Sequence, residues 1–217
     1  MKLISIAAAF CIFCAPAVVA QSLFDLIQNG TPEEITIAVK AGARINERLP
    51  GNGATPLMMA ARFSSNPEML STLVAEGADI SLRSYFNGYT ALMYAARYSN
   101  NTEVVSTLVR LGGKIDERSD NDTTPLMIAA ASNGNPDIFL TLLELGGKVN
   151  EANGMGATPL TLAAAHNQNP DMITVLLKAG ADPSMRTNAG KRAIDYAAEN
   201  KNLLGTDAYL ELKRVSR

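Results

Sequence analysis

Residues able to do chemistry are few in this 217-residue chain, and they are scattered. There is a single histidine, His166, and one acidic group, Asp116, Asp120 and Asp122. Carboxylates so placed can attract calcium, and an imidazole can act as a general base. One reading is therefore a metal-dependent enzyme using these four residues. The spacing speaks against it. The acidic run lacks the Gly and terminal Glu of a calcium loop, and one histidine is too few for a His-based metal site or a triad. Gly112-Gly113-Lys114 and Gly146-Gly147-Lys148 lack the rest of a phosphate-binding loop and read as helix stops followed by Lys. Cys11 and Cys14 spell C-x-x-C, a redox spacing elsewhere, but they lie inside an apolar run. No catalytic residue, metal or cofactor is expected.

A second set of residues points to recognition. Arg62, Phe63, Arg83, Tyr85, Phe86, Tyr89, Arg97 and Tyr98 gather aromatic rings and guanidiniums into one part of a chain that is only 6% aromatic. Tyr and Arg dominate binding hot spots because they bury large area while keeping a polar handle. These eight are the candidate protein-binding residues. Apolar residues make up 47% and charged residues 18%, as in a folded chain. Net charge is −2 and no long run of Lys or Arg occurs, so a nucleic-acid footprint is not expected.

The elements that position these residues come from a repeat. Ala54-Thr55-Pro56-Leu57 recurs as Tyr89-Thr90-Ala91-Leu92, Thr123-Thr124-Pro125-Leu126 and Ala157-Thr158-Pro159-Leu160, each followed by Ala-Ala three residues on. The threonines are 35, 34 and 34 residues apart, and Arg192-Ala193-Ile194 begins a degenerate fifth copy. A second motif follows at fixed distance: Asn66-Pro67-Glu68, Asn101-Thr102-Glu103, Asn135-Pro136-Asp137 and Asn169-Pro170-Asp171. A third closes each unit at Gly77, Gly112, Gly146 and Gly180, with an earlier, truncated unit ending at Gly42.

Each motif has a mechanical role. The Thr hydroxyl caps a helix, and Pro suits the first turn, where its missing N–H would have no partner. Asn-Pro followed by an acid starts a second helix, with the acid at the positive end of the helix dipole. Thr31 and Glu34 form a capping box. Gly stops the second helix, and about ten polar, turn-forming residues follow. One such unit cannot bury its apolar face alone, whereas stacked units can.

The pattern resembles the ankyrin repeat, on Thr55-Pro56-Leu57, Thr90-Ala91-Leu92, Thr124-Pro125-Leu126, Thr158-Pro159-Leu160, Gly77-Ala78-Asp79 and Gly180-Ala181-Asp182. The resemblance implies an all-α solenoid of helix pairs joined by β-hairpin-like loops, working as a protein-binding scaffold. It also implies that targets lie along the loop tips and the exposed side of each first helix. There the second unit presents Asn52, Arg62 and Phe63, the third Tyr85, Phe86, Tyr89, Arg97 and Tyr98, the fourth Asp120, Asn121, Ala131 and Ser132, and the fifth Met155 and His166. Two departures stand out. The family's His, which helps tie neighbouring repeats, is replaced by Met58, Met93, Met127, Thr161 and Asp195. The period is also one residue longer than usual, which should reshape the turn between paired helices.

Residues 1–20 read as a secretory signal peptide: Lys2, an apolar run from Leu3 to Cys14, and small residues before a cleavage site after Ala20. The run is several residues short of the roughly 20 needed to span a bilayer. The expected organisation is then a repeat domain over 21–217. It comprises an N-terminal cap at 22–52, repeats at 53–87, 88–121, 122–155 and 156–189, and a polar C-terminal cap at 190–217. The cleaved chain would hold no cysteine, fold by packing alone and contain no membrane span. It is expected to be a periplasmic or secreted monomer that binds a protein, either as an adaptor or as an immunity protein neutralising a toxin or enzyme.

Overall fold

The computed structural model describes residues 22–216, so the expected signal peptide lies outside the described residues. Twelve helices follow in pairs. They are α1 (Leu23–Asn29), α2 (Pro32–Lys40), α3 (Pro56–Phe63), α4 (Pro67–Ala75), α5 (Ala91–Tyr98) and α6 (Thr102–Arg110). The second half comprises α7 (Pro125–Ser132), α8 (Pro136–Glu144), α9 (Pro159–His166), α10 (Asp171–Lys178), α11 (Ala193–Ala197) and α12 (Asp207–Val215). The described residues form no strand; one isolated bridge joins Arg186 and Arg192.

The capping chemistry expected from the motifs starts the helices. Thr55, Thr124 and Thr158 each accept the N–H of the residue three further on. Thr31 and Glu34 complete their box. Asn66, Asn101, Asn135 and Asn169 accept from Glu68, Glu103, Asp137 and Asp171. Thr90 departs from the pattern. It precedes Ala91 rather than Pro and makes no side-chain cap. At the far end of α6, Gly112 turns at φ +106°, a conformation that L side chains avoid, and its N–H returns to the Val109 carbonyl.

The first helices α1, α3, α5, α7, α9 and α11 pack side by side in one row, and the second helices α2, α4, α6, α8, α10 and α12 in another. Burial follows from this arrangement. Pro125 through Ala130 of α7 are all buried, because that helix has α5 on one flank, α9 on the other and α8 behind. Paired alanines such as Ala95-Ala96 and Ala129-Ala130 have no exposed surface and let the backbones approach closely. The second helices bury one face only, as with Ile138, Phe139 and Leu142 of α8. The C-terminal cap is less polar than its sequence suggests, since Leu204, Leu210 and Val215 are exposed on it.

Side-chain amides tie successive units together. Asn133 Nδ2 donates to the Ala96 and Ser99 carbonyls at 3.0 and 2.9 Å. Asn167 repeats this onto Ala130 and Asn133, and Asn200 onto Ala164 and Asn167. The Oδ1 atoms of Asn133 and Asn167 accept from Asn135 and Asn169 within the same turn. One side chain thus organises the lengthened turn and locks it to its neighbour. Three of the positions expected to hold the family's His serve their own helix start. Met58 Sδ and Thr161 Oγ1 accept the N–H of the cap residue and close capping boxes, and Asp195 Oδ2 accepts the Arg192 N–H.

The loops stack as well. Tyr85 N–H donates to the Asn52 carbonyl, Asp120 to Asn87 and Asn188 to Met155. Asp122 holds φ +58° where the neighbouring loops have Gly53, Gly88 and Gly156 at positive φ. Asp tolerates this region better than most residues, and Arg118 secures it through both its carbonyl and its carboxylate.

Candidate binding surface

The candidate residues separate into three groups. Arg62 and Phe63 end α3, and Arg97 and Tyr98 end α5 beside them. The Arg62 guanidinium lies 4.2 Å from the Tyr98 ring centre and 4.8 Å from that of Phe63, and Arg97 lies 5.4 Å from Tyr98. Cations held over aromatic faces are attracted by the ring quadrupole. Phe63 is 48% exposed and Tyr98 40%, so this rim remains available to a partner. It borders a hollow of about 380 Å³ walled by Ser64, Ser65, Asn100 and Asn101.

The second group sits at the loop tips. Tyr85 is 60% exposed and Phe86 72%. The Tyr85 ring rests on Gly53, where a Cβ would fall 2.5 Å from it, and Arg48 lies 5.0 Å from its centre. Tyr89 links tip and rim. Its ring meets Tyr94 edge-on at 6.2 Å, and Tyr94 lies 6.0 Å from Tyr98. Tyr94 is buried, and burial pushes its hydroxyl pKa up.

Arg83 stands apart from both groups. It pairs with Glu117 at 3.2 Å and Asp120 at 3.0 Å, spanning two loops. Its side chain ties its own loop to the next and stays partly exposed. The same pairings bear on the acidic group. Asp120 is held by Arg83 and Asp122 by Arg118, and no three metal-ligating side chains come together among the described residues. His166 is exposed at the end of α9.

The structure adds a feature that the residue types do not announce. Two hollows of about 780 and 340 Å³ open between the loops and the first helices of the later units. They share Met155, Leu162 and His166 as a dividing ridge. Ala131, Ser132 and Ala165 line them. These residues fall at the repeat positions filled earlier by Arg62, Phe63 and Arg97, so the space is opened by side chains too small to fill it. The alignment of units carried that signal, in the loss of bulk at fixed register. Tyr89 and Arg97 also line the larger hollow, which makes it continuous with the rim.

Stacked helix pairs, Thr-capped first helices, glycine stops and projecting loops define a repeat solenoid of the kind that presents a recognition surface rather than an enclosed active site. A family model for ankyrin repeats (3 copies) matches residues 23–119, 57–153, 98–187 and 126–208. The chain belongs to the ankyrin-repeat family. A search of curated proteins gives no match. Among the described residues no helix is long and apolar enough to cross a membrane.

Proposed function

We propose that this protein is a non-enzymatic scaffold that binds a protein partner along the loop tips and the open side of the first helices. The observation that carries this reading is the continuity of the surface. The exposed rim of Arg62, Phe63, Arg97 and Tyr98 runs through Tyr89 and Arg97 into the hollows above α7 and α9. An exposed aromatic and apolar patch with a polar border is the usual signature of an interaction site. The membership in a repeat family of scaffolds supports the same reading.

The test uses two variants of the full chain that leave the buried core untouched. Arg97→Ala/Tyr98→Ala removes the rim, and Ala131→Trp/Ala165→Trp fills the hollows. A partner cross-linked to wild type in its native compartment should be lost by both. Equal capture by both variants would move the site elsewhere on the molecule.

Export completes the proposal. A leader over residues 1–20, cleaved after Ala20, would deliver a cysteine-free monomer to the periplasm or beyond. N-terminal sequencing of the protein recovered from a fractionated host should begin at Gln21. An intact Met1 in the cytosolic fraction would refute the export step.

A further inference from the structure

Among the described residues, two guanidiniums on the open face have no acceptor. Every other arginine from Arg44 to Arg192 has a hydrogen-bond or ion-pair partner. Arg83 and Arg118 hold carboxylates, Arg48 and Arg186 hold backbone carbonyls, Arg110 a hydroxyl and Arg192 the Ser216 carbonyl. Arg62 and Arg97 make neither kind of contact among the described residues. Both are nevertheless gathered around one ring, at 4.2 and 5.4 Å from the centre of Tyr98. Arg62 lines the hollow at the rim and Arg97 the larger one. A carboxylate at either guanidinium satisfies N–H donors that form forked, charge-assisted bonds.

The adjoining surface has the same polarity. No Asp or Glu lines any of the three hollows on this face, although the chain as a whole carries a net charge of −2. In the largest hollow stands Asn153, 5% exposed, whose Nδ2 has no acceptor. Its orientation is fixed, because Oδ1 already accepts from the N–H groups of Met155 and Ala157 at 3.0 and 2.9 Å. A buried donor left without a partner is rare and calls for one. The buried Asn153 amide thus adds one unmatched donor at the hollow, next to the apolar side chains of Ile128, Met155 and Leu162.

We infer that this face takes an acidic segment of a partner protein, with carboxylates on Arg62 and Arg97 and neighbouring apolar side chains in the hollows. The inference rests on the protein-binding reading above and narrows it to one chemistry of partner. Two cations on an acidic protein are too few to track a nucleic-acid backbone, whose binding scales with the number of phosphates neutralised. They also fall short of the basic clusters that hold proteins on anionic membranes. A carboxylate flanked by apolar side chains matches both the charge and the floor.

The probe is a fluorescein-labelled peptide alternating Glu with Leu and Gly, compared with its Gln-for-Glu counterpart by anisotropy against the full chain. The Glu peptide should bind, and the Gln peptide at least about tenfold more weakly. Arg62→Gln and Arg97→Gln should each lower affinity for the Glu peptide by about tenfold with melting unchanged, and added salt should weaken binding to wild type. Equal binding of the two peptides, undiminished binding by the double variant, or no binding of the Glu peptide would each overturn the inference. So would tighter binding of single-stranded DNA or of phosphatidylserine vesicles than of the Glu peptide. Failure of the scaffold reading is distinguishable: it appears as partner capture that survives Ala131→Trp/Ala165→Trp, whatever the peptides do.

Discussion

The side-chain amide of Asn167 donates to the backbone carbonyl of Asn133 at 3.0 Å, and the Asn133 amide in turn donates to the carbonyl of Ser99 at 2.9 Å. The residues are buried, and each amide also reaches an alanine carbonyl in the preceding first helix. Truncating one leaves two buried carbonyls without donors. Asn167→Ala is therefore expected to destabilise the chain by about 2–4 kcal/mol, at about 1–3 kcal/mol for an orphaned buried group with partial relaxation. Denaturant unfolding measures this. A loss below about 0.5 kcal/mol would mean that the ladder carries no weight, since surface changes alone reach that size.

The ladder does not run the length of the stack. At the junction between α3 and α5 the corresponding residue is Ser99, whose hydroxyl serves only its own turn by accepting from Asn101 N–H. The units before this junction should open more easily than those after it. Native-state hydrogen exchange is expected to be faster in α1 to α4 than in α7 to α10. Ser99→Asn, which offers an amide to the carbonyls of Ala61 and Ser64, should narrow the difference.

Thr124 caps α7 and Thr90 does not cap α5. Thr124→Ala should cost about 1 kcal/mol, and Thr90→Ala clearly less. Ala91→Pro should stabilise by up to about 1 kcal/mol, since it restricts the unfolded chain. Thr90 is already extended at φ −84°, ψ 172°, as a residue before proline must be. Thermal melting of the three variants decides the order.

Asp79 and Asp182 titrate in the direction set by their turns. Each carboxylate accepts both the N–H and the hydroxyl of the serine two residues on, at 2.6 to 2.8 Å, and this lowers its pKa. A lowered folded-state pKa contributes stability that is present above the unfolded value of about 4 and is lost as pH falls through the folded one. Melting should therefore be nearly level from about pH 7 to 5 and decline below about pH 4. Asp79→Asn/Asp182→Asn should start lower and decline less steeply.

Much of this molecule is legible in its sequence because its signals are local and repeated. Thr-Pro-Leu, Asn-Pro-Asp and the glycine stops each act within one turn of helix, so reading them needs no knowledge of distant residues. The rim was legible for a similar reason: Arg62, Phe63, Arg97 and Tyr98 end equivalent helices. The ion pairs of Arg83 were not legible, because its partners, Glu117 and Asp120, lie 34 and 37 residues away. The asparagine ladder is hidden by composition. In an Asn-rich chain, Asn133, Asn167 and Asn200 look like ordinary turn formers until their amides are seen to reach across units. The hollows escape because their marker is missing volume, at Ala131 and Ala165, in a family where alanine usually means close packing.

The amide ladder has a consequence for how such a chain can change in length. The unit around Asn133 offers an amide to the unit before it and carbonyls to the unit after it, and the unit around Asn167 does the same. A second copy of residues 122–155 spliced in between would find both halves of its joint already waiting. The molecule is in this sense an open-ended ruler: its middle can be extended by whole graduations without new contacts, while its ends cannot.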